Sequence, residues 1–160
     1  VLSFTAEEAW RVTAAQAGGG ADGSVFEELW HRIPEHGLDP AVIEAWTRVR
    51  RFRETVAKRI EARRERKEIG SSLAAELDIQ VNGALYEALA RLGDELRFVL
   101  ITSRADLRRS EASASDILVQ ASAAPKCERC WHYRTDVNAE GLCGRCVSNL
   151  QGPGEPRRHA

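Results

Sequence analysis

The chain has 160 residues, of which 43% are hydrophobic and 29% charged, and its formal net charge is −1. These values are typical of a soluble globular protein with one domain, or one domain and an appendage, and they exclude a uniformly basic nucleic-acid-binding protein. No apolar run approaches ~18 residues, so we expect no membrane-spanning helix, no membrane partner and a cytoplasmic location.

The charge is distributed unevenly along the chain. Residues 1–38 contain two basic and six acidic side chains, whereas residues 39–70 contain ten basic and six acidic ones. From residue 125 to the end there are six basic and four acidic side chains. A polyanionic partner is therefore expected to contact the middle of the chain and its carboxyl-terminal part.

A first helix is predicted from Thr5, because a threonine followed three residues later by Glu8 forms a capping box. Apolar residues recur at helical spacing as far as Ala17, and the run Gly18–Gly20 is predicted to end the helix. Residues 24–30 are mixed in character, and we expect them to be an irregular segment that packs on the helices.

The longest predicted element is a helix that starts after Asp39, a good N-cap, with Pro40 in the first turn, and ends at Gly70. Its basic residues occupy the faces outside a narrow apolar stripe. They are either a solvated face paired with glutamates or, for a subset, RNA contacts. The candidate RNA contacts in this helix are Arg48, Arg51 and Lys58. The apolar stripe consists of Val42, Trp46, Val49, Phe52 or Arg53, Val56 and Ile60.

After this helix the period of the sequence changes. Apolar and polar residues alternate from Leu77 to Val81, which predicts a half-buried strand. A short amphipathic helix is predicted over Leu85–Leu92, a central strand over Leu96–Ile101 and a third strand over Ile117–Val119. Residues 104–114 are polar and alanine-rich, and no regular element is predicted there. The tail from Gly152 is predicted to fray. The fold class is α+β.

All four cysteines of the chain form two Cys-x-x-Cys pairs near the end of the sequence. The first pair is Cys127 and Cys130, and the second is Cys143 and Cys146. This spacing is typical of one Zn²⁺ held by four thiolates, and a site closed by four protein ligands is structural and not catalytic. Two disulfides or four buried thiols are the alternatives. Gly144 is predicted to adopt the left-handed conformation in the second pair.

Residues inside and beside the cysteine pairs are candidates for contact with a ligand. Arg129 and Arg145 occupy the same slot in the two pairs and bring positive charge to a site whose formal charge is −2. Trp131 and Tyr133 either close the small core of this segment or stack on the bases of RNA. His132 lies between them and is a possible substitute metal ligand.

Several stretches resemble the carboxyl-terminal part of bacterial isoleucyl-tRNA synthetases. The clearest are Cys127–Tyr133 and Cys143–Leu150, which are similar to the zinc-binding segment of that family; the same finger type occurs in the formamidopyrimidine-DNA glycosylases. The stretches Leu2–Trp10, Ile69–Ala75 and Leu92–Ser103 are similar in wording and order to the family's anticodon-binding and junction regions.

The resemblance implies three parts: a portion of a helical anticodon-binding bundle over residues 1–74, a small mixed α/β junction over 75–124, and a Cys₄ zinc finger with a tail over 125–160. It implies one structural zinc ion, tRNA and the rest of a synthetase as partners, and a monomer. The candidate tRNA contacts are then Arg48, Arg51, Lys58, Arg129, Trp131, Tyr133 and Arg145.

The motifs with which such synthetases hold ATP do not occur in this sequence. There is no His-x-Gly-His motif, and a Lys-Met-Ser-Lys-Ser loop is impossible in a chain with no methionine. We therefore expect ATP to be used by a catalytic domain that is not part of this chain, which starts abruptly at Val1. The alternatives are a free-standing zinc RNA-binding module derived from a synthetase, and a DNA glycosylase-type zinc-finger protein.

Overall fold

The structure is a computed structural model that describes residues 2–16, 23–30, 32–35, 37–111 and 115–158. Two compact units are present, Val1–Gly37 and Leu38–Ala160. None of the described helices combines the length and apolar character needed to cross a lipid bilayer. The helices are α1 (Ser3–Gln16), α2 (Pro40–Glu65), α3 (Gly83–Ala90), α4 (Leu96–Leu100) and α5 (Gly144–Gln151), and the strands are β1 (Ala75–Val81), β2 (Arg104–Arg109) and β3 (Asp116–Ala121).

The first unit consists of α1 and a 3-10 turn, Val25–Glu27, held together by one carboxylate. Glu7 accepts hydrogen bonds from the Ser24 hydroxyl (2.8 Å) and the Val25 amide (3.0 Å). Both hydrogen bonds lower the pKa of Glu7, and the one from Ser24 has the larger effect. The capping box lies at Ser24 and Glu27, so the predicted box at Thr5 is wrong: α1 starts at Ser3, which places Thr5 inside its first turn.

The prediction that residues 24–30 pack on helices is also wrong for the large apolar side chains of this segment. Leu29 is 94% exposed, Trp30 98% and Phe26 64%, because only the beginning of the segment is bonded to α1. Trp10 is half-buried. The glycine run Gly18–Gly20, predicted to end α1, lies outside the described residues.

Helix α2 forms largely as its sequence predicts. The Asp39 carboxylate accepts a hydrogen bond from the Ala41 amide (2.8 Å), and Pro40 is the first helical residue. The apolar stripe is buried at Val49, Phe52, Val56 and Ile60, whereas Trp46 is half-buried. The helix ends at Glu65, before the predicted Gly70, and the left-handed residue that follows it is Lys67 (φ 59°).

The sheet has the strand order β2-β1-β3, in which β1 is central. Strand β1 is parallel to β2, with Leu77 opposite Ala105, and antiparallel to β3, with Leu77 opposite Val119. The alternation predicted for β1 is confirmed: Ala75, Leu77, Ile79 and Val81 are buried, while the residues between them are half-buried or exposed. The parallel connection runs through α3 and α4, as such pairing requires.

The predicted second strand, Leu96–Ile101, is wrong. It is helix α4, which buries Leu96 and Leu100 one helical turn apart and ends at Ile101 in the left-handed region (φ 57°). The actual strand is β2, in the polar segment for which no regular element was predicted. A short apolar run fits both periods, and a polar edge strand such as β2, whose ends are exposed, lacks the alternation of a buried strand.

One aliphatic core joins the stripe of α2 to the sheet. It contains the buried residues of α2, β1, α3, α4 and β3 together with Ile69 and Leu92. The buried face of α2 therefore packs in the same core as the strands. The three-part division at residues 74 and 124 stays a prediction.

Candidate metal centre

Two backbone knuckles position the four cysteines. In the first, the Cys127 amide donates to the His132 carbonyl and the Trp131 amide donates to the Cys127 carbonyl, both at 2.9 Å, so the chain turns back within a few residues. Trp131 takes the left-handed conformation at this turn (φ 65°). In the second knuckle, Cys143 precedes α5 and Cys146 lies in its first turn.

The four sulfur atoms lie within 4.8 Å of one another, and Cys127, Cys143 and Cys146 are buried. The sulfurs of Cys130 and Cys143 are 3.7 Å apart. A tetrahedral zinc ion with Zn–S bonds of about 2.3 Å places its sulfurs about 3.8 Å apart. No disulfide joins any two of the four cysteines, and all four share one cluster, which is against the alternative of two disulfides. The donor set therefore fits one structural zinc ion.

The environment of the thiols favours a metal over four protonated sulfurs. Burial and the neighbouring sulfurs of Cys130 and Cys127 raise the pKa of Cys143 to about 12. Burial would also raise the pKa of Cys127, but the backbone amides directed at its sulfur, including that of Cys143 at 3.3 Å, lower it to about 6. Four such close sulfurs cannot all ionise alone, and a divalent cation removes that repulsion.

Two glycines at the second knuckle, Gly141 and Gly144, allow the two knuckles to approach each other. Gly141 is left-handed (φ 77°), and its carbonyl accepts a hydrogen bond from the Glu128 amide (2.9 Å). The left-handed prediction for Gly144 is wrong. Gly144 is the first residue of α5; its amide donates to Asp136 Oδ2 (3.2 Å), and a Cβ there would lie 2.9 Å from that oxygen.

A buried serine attaches the finger to the sheet. Ser103 is fully buried; its hydroxyl donates to the Leu73 carbonyl (2.5 Å) and accepts from the Tyr133 amide (2.6 Å). The Tyr133 side chain packs against the aliphatic core. The role of Ser103 was not predicted from the sequence, since a single serine after an apolar run carries no signal of a contact thirty residues away.

Both arginines of the cysteine pairs lie beside the sulfurs, as their shared slot predicts. Arg129 Nη1 is 3.8 Å from the Cys146 sulfur, and Arg129 is otherwise exposed. Burial would lower the pKa of Arg145, but the neighbouring Cys130 sulfur and Glu155 raise it. Arg145 is tied to Glu155 by an ion pair at 2.8 Å. These positive charges offset the negative charge of a thiolate-bound zinc.

The three residues of the Trp131–Tyr133 segment differ in surroundings. Trp131 is 59% exposed, with Lys126 Nζ 5.6 Å from its ring centroid. Tyr133 is half-buried. His132 is buried and is not one of the clustered metal donors; its Nδ1 bonds the Cys130 carbonyl at 3.1 Å. Trp131 is therefore the most exposed aromatic residue of this segment.

The three candidate residues of α2 are all exposed. Arg48 and Arg51 line one shallow groove with Arg59, and Arg48 is ion-paired to Glu44. Lys58 lies two helical turns after Arg51 and so projects from a similar direction. The structure thus places Arg48 and Arg51 together, but it does not bring the α2 residues into the cysteine cluster.

A second basic cluster lies next to the finger, and the sequence analysis missed it. Arg97, Arg145 and Arg157 each hold a guanidinium carbon within 5.0 Å of the Phe98 ring centroid. The ring of His132 meets Phe98 edge-on, with centroids 5.6 Å apart. Only folding brings these residues together, because they come from α4, α5 and the tail.

Comparison with known proteins finds relatives that match the whole chain and a family that matches the finger. Residues 125–149 match the family described as the zinc finger found in FPG and IleRS. The chain is 47% identical over 170 residues to the isoleucine–tRNA ligase of Bordetella parapertussis, which covers 100% of the chain and 18% of that protein. Isoleucine–tRNA ligase of Thiobacillus denitrificans is 49% identical over 164 residues (100% of the chain, 17% of the relative), and isoleucine–tRNA ligase 1 of Burkholderia mallei is 48% identical over 164 residues (99% and 17%). The chain spans less than a fifth of the length of these relatives.

Proposed function

Because the chain is homologous along its whole length to one segment of isoleucine–tRNA ligases, we propose that it acts as the tRNA-binding carboxyl-terminal part of such an enzyme. In this proposal it recognises the anticodon region of the isoleucine tRNA. It thereby supports an ATP-dependent aminoacylation carried out by a catalytic domain elsewhere.

The observation that carries the proposal is the combination of full-length similarity with a clustered Cys₄ donor set. The finger alone is compatible with a glycosylase, since the matched family includes both kinds of protein. The three relatives described above, which cover 99–100% of the chain, are isoleucine–tRNA ligases, and this favours the synthetase over the glycosylase.

In this proposal zinc has a structural role. Cys127, Cys130, Cys143 and Cys146 would hold the ion, and four protein ligands leave no open position for a substrate or an activated water. The chain's own residues supply the surface: backbone hydrogen bonds of the first knuckle hold the turn at Trp131, whose side chain is 59% exposed.

Exposed groups of two kinds support contact with a tRNA. An anticodon loop offers unstacked bases that stack on aromatic side chains and phosphates that attract arginine and lysine. Trp131 is the most exposed aromatic of its segment, with Arg129 nearby in sequence; Arg48, Arg51 and Lys58 are candidates for phosphate contact on α2. Tyr133 and Arg145 are less exposed than Trp131. In this proposal they support the binding surface as well as contact the tRNA.

Binding of a fluorescently labelled isoleucine tRNA transcript to the zinc-loaded chain tests the proposal. We expect an affinity that falls steeply with salt and that drops when the anticodon is replaced in an otherwise identical transcript. Trp131→Ala should cost roughly 1–3 kcal/mol of binding free energy if the indole stacks on a base. Trp30→Ala is the matched control, since Trp30 is 98% exposed in the other unit.

The α2 residues are tested in the same assay. Replacing Arg48, Arg51 and Lys58 by glutamine should weaken binding to every tRNA to a similar extent and reduce the salt dependence. The control replaces Arg63, Arg64 and Arg66 by glutamine. This removes the same charge at the end of the helix, where all three arginines are ion-paired to Glu68 or Glu61. Equal loss in both triple variants, or no tRNA binding at all, would contradict the proposal.

A further inference from the structure

At the basic cluster around Phe98, three arginines lie over one ring and two of them are paired to the same carboxylate. Guanidinium carbons of Arg97, Arg157 and Arg145 lie 4.3, 4.7 and 5.0 Å from the centroid of one ring. Glu155 Oε1 is the acceptor for two of them, Arg145 at 2.8 Å and Arg157 at 3.0 Å. A single carboxylate oxygen is therefore ion-paired to two guanidinium groups.

Arg97 is the member of the cluster without a counter-ion. Its guanidinium makes no ion pair or hydrogen bond with any residue in the described part of the chain, although the residue is half-buried. Burial lowers its pKa, and the charges of Arg134 and Arg145 lower it further, more than Glu155 and Asp94 raise it. A partly desolvated cation among other cations is a place where an anion binds favourably.

The tail holds Glu155 over this cluster. The Glu155 amide donates to Asn149 Oδ1 (2.8 Å), and the Arg158 amide donates to Glu95 Oε1 (2.5 Å). The predicted fraying of the tail is therefore wrong as far as residue 158. The carboxylate of Glu155 occupies two arginines in the way that a phosphate oxygen would.

A second group beside Phe98 also lacks a partner. His132 is 92% buried, and its Nε2 makes no hydrogen bond within the described part of the chain. Because the Cys130 carbonyl can only accept, Nδ1 carries the proton in that hydrogen bond, and Nε2 of a neutral ring is an acceptor. Among the described residues, the cluster thus contains a cation without a paired anion, Arg97, and an acceptor without a donor, His132 Nε2. The sugar–phosphate backbone of RNA offers an anion and a donor, since a 2′-hydroxyl accompanies each phosphate.

We propose that Arg97, Arg145 and Arg157 around Phe98 bind a backbone phosphate of RNA, and that Glu155 is an internal competitor displaced when the phosphate binds. This inference rests on the proposed tRNA-binding function for the identity of the ligand. It adds a contact site formed by the junction, the finger and the tail, separate from Trp131 and from α2.

The first experiment uses inorganic phosphate and the zinc-loaded chain. Nuclear magnetic resonance signals of the arginine Nε–Hε groups are followed during a titration with phosphate against chloride at matched ionic strength. The Arg97 and Arg157 signals should shift and saturate, while Arg91, an exposed arginine at the end of α3, should not respond. Glu155→Gln should tighten phosphate binding, because the competing carboxylate is removed.

The second experiment measures tRNA affinity. Arg97→Gln should lower it about tenfold near 0.1 M salt and reduce the salt slope by about one, the effect of losing one phosphate contact. Arg91→Gln removes the same charge and should change affinity far less. Zinc stoichiometry and the circular dichroism spectrum are measured for each variant, since both should stay as in the unmodified chain.

The outcomes separate this inference from the function on which it rests. If phosphate moves the Arg97 signals no more than those of Arg91, or if Glu155→Gln weakens phosphate binding, the anion site is wrong. If phosphate binds but Arg97→Gln and Arg91→Gln affect tRNA equally, the assignment to RNA is wrong. If the unmodified chain binds phosphate at Arg97 but no tRNA, the proposed function fails together with that assignment, and the anion site remains.

Discussion

The sheet and the finger of the second unit are held together by different chemistry. The sheet and α2 enclose an aliphatic core in which Leu77, Ile79 and Val56 are completely buried. The finger's buried apolar cluster consists of three cysteines, with Cys130, Val137 and Leu142 partly buried around them. A segment with so little apolar surface depends on its ligand-forming sulfurs, whereas the sheet depends on shape and burial.

This contrast predicts that each core is sensitive to a different treatment. Metal removal should act on the finger, and loss of aliphatic volume should act on the sheet. Because Ser103 connects the two, a change there should register in both.

The largest effect is expected from loss of zinc. Cys143→Ser should abolish stoichiometric zinc binding, because a tetrahedral site then has three thiolates, and structural zinc is worth about 10–16 kcal/mol in isolated finger peptides. Metal analysis gives the stoichiometry, and amide resonances of residues 127–150 report the finger's structure. Resonances of β1 should be retained.

Thr135→Ser, an exposed change in the same segment, is the control and should keep one zinc per chain. A stoichiometry near zero in the reduced unmodified chain would refute the metal centre. Collapse of the β1 resonances together with those of the finger would show that the two cores are not separable.

An intermediate effect is expected in the aliphatic core. Leu77→Ala should lower the free energy of unfolding by about 2–5 kcal/mol, the usual cost of a truncated buried leucine, while folded protein keeps its zinc. Leu118→Ala on the neighbouring strand is the control: Leu118 is 48% exposed, so the change should cost less than about 1 kcal/mol. Denaturant titration measures both, and equal values would contradict the assignment of this core.

The smallest effect is expected at the connection between the two cores. Ser103→Ala leaves the Tyr133 amide and the Leu73 carbonyl without their buried partner, which should cost about 1–3 kcal/mol. Hydrogen exchange at the Tyr133 amide should accelerate. Ser71→Ala is the control, because Ser71 is exposed and its side chain forms no cap hydrogen bond; similar exchange in both variants would remove the connecting role of Ser103.

Local patterns predicted much of this molecule, and their failures have a common cause. Two patterns were interpreted correctly, the apolar stripe of α2 and the alternation of β1, because each arises from one buried face of a single element. Leu96–Ile101 was interpreted wrongly as a strand, since six mostly apolar residues fit a helix buried at both ends as well as a central strand. Strand β2 was not predicted, because it is a polar edge strand that pairs on only one side.

The sequence by itself determined that the four cysteines cluster, because two residues between cysteines bring both sulfurs of a knuckle together. It also determined the long helix and the central strand, where local periodicity and burial agree. Only the tertiary structure decided which glycine is left-handed, that Ser103 receives the Tyr133 amide, and that Arg97, Arg145 and Arg157 share the ring of Phe98. These contacts join residues tens of positions apart, and no local preference encodes which distant groups the packed core will bring together.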